Sequence, residues 1–177
     1  MKTQLLGALA GMTLAVAAGP ATAQDAESTN RVNAETDWSV FVEDDPTQCW
    51  VVSTPRETVN TRDGRVVSVR RGEILMFVSF WPGDNRLGEV SFTGGYPFAS
   101  GSTVTVEIGS SNFELFTEGE MGWAASPADD QRIITAMKRG AEAVLTARSS
   151  RGTQTQDTFS LLGFTAAVED AEARCSS

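Results

Sequence analysis

The sequence predicts a mainly β fold, an antiparallel β-sandwich carrying one inserted helix and a short C-terminal helix. Three observations predict it. Short apolar runs alternate with polar residues at period two, and turn-forming clusters separate them at intervals of roughly 8–12 residues. One stretch, residues 126–140, has the start, buried stripe and stop of an amphipathic helix. With 177 residues, 41% apolar and 21% charged, the chain has the mass for a single domain with a real core.

The first 23 residues read as a signal peptide. Lys2 supplies the positive start, and Leu5 to Ala18 is an apolar run broken only by Gly7, Gly11 and Thr13. Ala21-Thr22-Ala23 then offers small side chains where a signal peptidase reads them, which places cleavage between Ala23 and Gln24. The run is short for a membrane core of ~30 Å, and no cysteine follows to take a lipid anchor. No later stretch could cross a membrane, so the mature chain is expected in an exported compartment, the periplasm or cell envelope. Residues 24–36 are almost devoid of apolar side chains and read as a flexible N-terminal lead, with the single sandwich domain spanning 37–177.

From Trp38 the pattern becomes β-like. Trp38–Glu43 and Gln48–Thr54 flank the turn cluster Asp44-Asp45-Pro46-Thr47, and Asp63-Gly64 is a hairpin signal before Val66–Val69. Ile74 to Trp81 is nearly all apolar, as in a strand buried on both faces, and Pro82-Gly83-Asp84 stops it. Val104, Val106 and Ile108 alternate with Thr103, Thr105 and Glu107, and Phe159 and Leu161 alternate with Thr158 and Ser160. Val90–Thr93, Phe113–Thr117 and Ala143–Arg148 show the same pattern more weakly.

The inserted helix has Ser126 as N-cap and Pro127 at its first position, with Asp129 and Asp130 complementing the dipole. Ile133, Ile134 and Met137 form its buried stripe, and Gly140 after Lys138-Arg139 is the expected stop. A second helix is expected over Thr165 to Arg174. Phe164, Val168, Ala171 and Cys175 are spaced 4, 3 and 4 and share one face, so Cys175 is presented toward the domain. Cys49 and Cys175 are the only cysteines, and in an oxidising compartment an even count without a C-x-x-C spacing favours a structural bridge. That bridge closes a loop of about 126 residues, worth about 5 kcal/mol in the chain-entropy model. Two free thiols held for redox work are the alternative, but nothing nearby would lower a thiol pKa.

The chain contains no histidine, which excludes Ser-His-Asp and Cys-His catalysis, histidine-ligated metals and an imidazole switch. A net charge of −9, to which removal of residues 1–23 adds one more negative unit, argues against nucleic acid and anionic membranes. Asp44-Asp45 and Asp129-Asp130 lack the spacing of a calcium loop, and a turn and a helix N-terminus explain them. Gly94-Gly95-Tyr96-Pro97 and Gly109-Ser110-Ser111 lack a phosphate-loop lysine and a following helix. Arg62, Arg65, Arg70 and Arg71 make a modest basic spot that reads as local salt-bridging. No cofactor and no metal is indicated. The candidate binding surface is aromatic: Trp81 and Trp123, which lie beside turn-rich segments, with Tyr96.

Several of these residues recur together in one family pattern. They are the Cys49-Trp50 strand, the buried strand after Val66–Arg71, Pro97 with Gly101 before a strand, and Lys138-Arg139-Gly140 after the helix. The most specific is the closing run Phe159-Ser160-Leu161-Leu162-Gly163-Phe164-Thr165-Ala166-Ala167. From Trp38 to Ala171 the chain resembles the invasion-associated locus B family of exported alphaproteobacterial proteins. The resemblance implies an immunoglobulin-like sandwich, an envelope location, a namesake role in bacterial entry into host cells, and neither enzymatic activity nor cofactor. The chain departs from the family pattern where members carry a cysteine at the position of Val42 and a further cysteine pair in the region of Phe116 to Trp123. Cys49–Cys175 would be this chain's own substitute.

The function expected from the sequence is therefore a non-enzymatic envelope module that binds a protein or glycan. The alternatives are an envelope glycan hydrolase acting through paired carboxylates and an outer-membrane assembly factor offering an open strand edge.

Overall fold

The computed structural model describes residues 30–45 and 47–176. The signal-peptide reading, with its Ala23–Gln24 junction, and residues 24–29 of the expected lead lie outside the described residues.

Twelve described strands form a single antiparallel sheet. They are β1 Arg31–Glu35, β2 Trp38–Asp44, β3 Thr47–Ser53, β4 Glu57–Arg62, β5 Arg65–Val66, β6 Leu75–Trp81, β7 Arg86–Thr93, β8 Thr103–Ile108, β9 Ser111–Glu118, β10 Met121–Ala124, β11 Glu142–Arg148 and β12 Gln154–Ser160. Helix α1 covers Pro127–Met137 and α2 covers Phe164–Cys175. The ladder runs β1-β2-β3-β6-β7-β10-β9-β8-β11-β12-β4-β5.

The sheet folds over on itself. Phe92 on β7 and Phe159 on β12 are five ladder steps apart, which in a flat sheet is about 24 Å. Their ring centroids are 6.1 Å apart. Trp38 on β2 likewise donates its indole N–H to the carbonyl of Ser160 at the end of β12. The core lies between the facing halves, with Val40, Val51, Val78 and Phe92 from one and Val104, Val106, Leu145 and Phe159 from the other. This agrees with the expected sandwich, made here from one continuous ladder where the immunoglobulin arrangement keeps two sheets.

The β4–β5 ribbon straps the halves together. The chain leaves the first half after β3, pairs with β12 as β4, turns at Asp63-Gly64 and returns to β6 beside β3. The return is anchored by Arg71, which makes a bidentate pair to Asp157 at 2.6 and 2.7 Å and whose side chain is only 6% exposed.

Three differences from the sequence expectation have physical reasons. Residues 31–35, expected within the flexible lead, form β1 and pair with β2, because backbone hydrogen bonds to an existing edge need little apolar content. The expected strand over Val66–Val69 ends after Val66, since the chain there turns back toward β6. Gly140 stops α1 for a steric reason. A Cβ at this position would overlap Ile108 and Leu161, so glycine lets the chain pass close over β8.

Candidate functional site

α1 is built as the local sequence dictates. Ser126 is in extended conformation and its hydroxyl accepts the Asp129 amide, with Pro127 opening the helix. Ile133, Ile134 and Met137 are buried, and the helix lies against β7. Two polar contacts fix it there. The Asp130 carboxylate accepts the Val90 amide at 2.8 Å, and the Gln131 amide donates to the Leu87 carbonyl at 2.9 Å.

Beside this helix a groove of about 980 Å³ stays open. Its apolar part is Leu87 from β7, Phe116 from β9 and Trp123 from β10. Phe116 and Trp123 are directly opposite each other across their strands, with ring centroids 5.6 Å apart. Phe116 is 47% exposed and Leu87 59% exposed, which makes this a contiguous apolar patch open to solvent. Leu87 reaches it because Gly88 is an extra residue in β7: Phe80 pairs with Leu87 and Ser79 with Glu89, leaving Gly88 as a bulge. Such bulges redirect neighbouring side chains.

The other walls are acidic. Glu89, Glu118, Asp130 and Glu172 line the groove, against the single cation Arg86. Burial pushes the Asp130 carboxyl above its ordinary value, with Glu89 and Asp129 adding to the rise and the Val90 amide opposing it. Asp130 is nevertheless committed to β7. Its neighbour Asp129 is held by Ser126 and Arg132, so both members of this acidic pair have structural partners. Asp44 lies at the end of β2 and Asp45 in the turn beyond it. Among the described residues no cluster of three histidine, cysteine, aspartate or glutamate side chains is placed to hold a metal ion.

The three aromatic candidates are not brought together. Trp123 is in the groove. Trp81 is at the end of β6 beneath Arg86, whose guanidinium carbon is 5.3 Å from its ring centroid. Tyr96 is in a separate hollow, where its hydroxyl bonds Thr155 and its ring packs edge-on against Phe98. Trp38 is core, and Trp50 stacks on Phe41 at 5.4 Å and 3° between the rings. Phe116 was missed in the sequence as a site residue, yet it carried a signal: Leu115 faces the core, so period two turns its aromatic neighbour outward.

Cys49 and Cys175 are joined, tying the end of α2 to β3. Such a bond fits an oxidising, exported compartment. Among the described residues no helix is long and apolar enough to cross a membrane.

The model for the invasion associated locus B (IalB) protein family matches residues 38–172. The chain belongs to this family. A solved structure, the invasion associated protein B from Bartonella henselae, aligns with a TM-score of 0.56 and 16% identity, over 82% of this chain and 98% of that one. At that identity the likeness concerns the fold. No curated protein sequence matches the chain.

The closing run Phe159 to Ala167 is where β12 passes into α2. Phe159, Leu161 and Phe164 are buried, the Asp37 amide bonds the Leu162 carbonyl, and Phe164 meets Trp38 edge-on at 4.8 Å. The motif is thus the clamp that closes the fold around Trp38. Val42 is directly opposite Cys49, and Phe116 is directly opposite Trp123.

Proposed function

We propose that this IalB family member is a non-enzymatic binding module of the cell envelope, exported by its N-terminal segment, and that the groove beside α1 takes a segment of a partner protein. The open aromatic pair Phe116–Trp123 at the base of an acidic groove carries this reading. Apolar rings with solvent on one face gain most by being covered, at ~25 cal/mol per Å². Four carboxylates against one arginine favour an occupant with basic side chains beside an apolar anchor, and the charge speeds its arrival.

The groove favours binding over hydrolysis because Asp130, whose carboxyl burial pushes above its ordinary value, already accepts the Val90 amide and is 8% exposed. The strand ends of the ladder, β1 and β5, are five and two residues long and offer less to an adding strand than the groove offers to a side chain.

The test is crosslinking of the tagged protein in its native host, followed by mass spectrometry of captured envelope proteins. A dominant partner that is lost with Trp123→Ala or Phe116→Ser and retained with Trp50→Ala supports the reading. Retention on purified cell-wall or capsular polysaccharide with no protein partner overturns it in favour of glycan recognition.

A further inference from the structure

A second hollow, of about 480 Å³ and sharing no lining residue with the groove, carries the opposite charge. Four arginines line it, Arg62, Arg70, Arg71 and Arg151, against one acid, Glu120. They are concentrated there in a chain with only 14 basic and 23 acidic residues. We propose that this hollow is a phosphate-binding site, taking a phosphate group carried on a sugar or free in solution.

The hollow holds unspent charge. Arg71 is neutralised by its bidentate pair with Asp157. Arg62 donates to the Thr153 hydroxyl at 2.6 Å, and neither it nor Arg70 nor Arg151 forms an ion pair with any described residue. The local salt-bridging expected of this basic spot is therefore true of Arg71 alone. Three guanidiniums that line one hollow without a carboxylate partner favour an anion among them.

Its frame is also fixed before any ligand arrives. The segment bearing Arg70 and Arg71 is held by the Gly72 amide on the Gly95 carbonyl at 2.8 Å, and by Arg71 Nε on the Gly94 carbonyl at 2.8 Å. Gly95 has φ +71°, and a Cβ there would run into the Gly72 backbone, so only glycine permits this approach. Tyr96 is fixed by Thr155 and lies beneath Arg71, 5.1 Å from guanidinium carbon to ring centroid. The floor of the hollow is thus fixed in advance, and binding has only the exposed side chains of Arg70 and Arg151 to order.

The number of free arginines selects the anion. A carboxylate offers two oxygens and one charge, too little for three free guanidinium forks. A phosphate offers three strong acceptor oxygens and a charge of about −1.5 to −2, which matches arginine forks in pairs. The hollow also exceeds the size of phosphate alone, which leaves room for an attached sugar. Nucleic acid is disfavoured because the surrounding protein is strongly acidic.

Titration calorimetry of the whole protein with inorganic phosphate, glucose 1-phosphate and glucuronate tests this. Both phosphates should bind saturably and more weakly as salt rises, while glucuronate binds at least tenfold more weakly. Arg151→Ala should weaken phosphate by about tenfold and Arg70→Ala/Arg151→Ala further, whereas Arg151→Lys, which keeps the charge but not the fork, restores only part of the affinity. Both arginines are exposed, so the variants should melt with wild-type protein, which separates loss of site from loss of fold. Tighter glucose 1-phosphate than inorganic phosphate identifies a phosphorylated sugar as the source; equal affinity identifies free phosphate. No saturable phosphate binding, affinity unchanged in the double variant, or glucuronate equal to phosphate overturns the proposal. Trp123→Ala should leave phosphate binding unchanged, so this site and the groove stand or fall separately.

Discussion

The two helices solve the same problem in opposite ways. α1 carries its own instructions: a side-chain cap, a proline start, first-turn acids and an apolar stripe all within residues 126–137. α2 begins at Gly163 with no side-chain cap and has no acid in its first turn. Its position comes from elsewhere. Phe164, Ala167, Val168, Ala171 and Cys175 are buried, and the helix packs on β2 and β3 and is bonded to Cys49. α2 is covalently fixed and gives the groove only Glu172, while α1 and the strands beside it leave the groove open over the exposed Phe116 ring. The lesson is a division of labour: the tertiary-dependent helix holds the fold shut, and the self-sufficient helix can border an opening because it does not need full coverage.

The two helices should part most widely when the covalent tie is cut. Cys49→Ser with Cys175→Ser releases a 126-residue separation and should lower stability by as much as about 5 kcal/mol, read by urea unfolding. The loss should appear first as exchange of α2 amides, with those of α1 protected longer. Next in size is a matched pair of truncations. Phe164→Ala removes a fully buried ring between α2 and Trp38 and should cost about 4 kcal/mol, whereas Phe116→Ala in the open groove should cost under about 1 kcal/mol. Equal losses would mean that the groove aromatics belong to the core.

Smaller effects sharpen the difference. Ser126→Ala removes the cap of α1 and should cost about 1 kcal/mol, whereas Gly163 offers no side-chain cap to remove at α2. The smallest concerns Asp130, whose pKa in the fold is raised above 3.8 by burial. The folded chain therefore holds that proton more tightly than the unfolded chain. Its contribution to stability is fully present below the unfolded pKa and is lost as pH rises through the folded value. Asp130→Asn keeps an acceptor for Val90 and removes this dependence. Melting curves from about pH 3 to 7 should show the variant gaining on wild type as pH rises, by less than about 1 kcal/mol at the upper end.

Legibility in the sequence followed locality. The strands of the core, β2, β3, β6, β8 and β12, were visible because their own alternation or apolar runs specify them. β1, β4 and β10 were not. Arg31–Glu35 and Glu57–Arg62 are polar strands held by ladder bonds to β2 and β12, and Met121–Ala124 is too short to show a period. The site was half legible. Trp123 was read from its turn-rich neighbourhood, but its companions Phe116, Leu87 and Glu89 come from strands that meet only in the sheet, and Tyr96 and Trp81 went to other surroundings.

By itself the sequence determined the β-rich class, the capped helix, the shared face of α2 and the pairing of the only two cysteines. Each of these rests on composition or on contacts within a few residues, where chain geometry is fixed by the dihedral preferences of the residues themselves. Only the tertiary structure decided that one ladder folds into two facing halves, that Gly88 bulges to turn Leu87 outward, and that four arginines from residues 62 to 151 line one hollow. These depend on which distant strands become neighbours, and that choice is made by the burial of the whole core rather than by any segment of it.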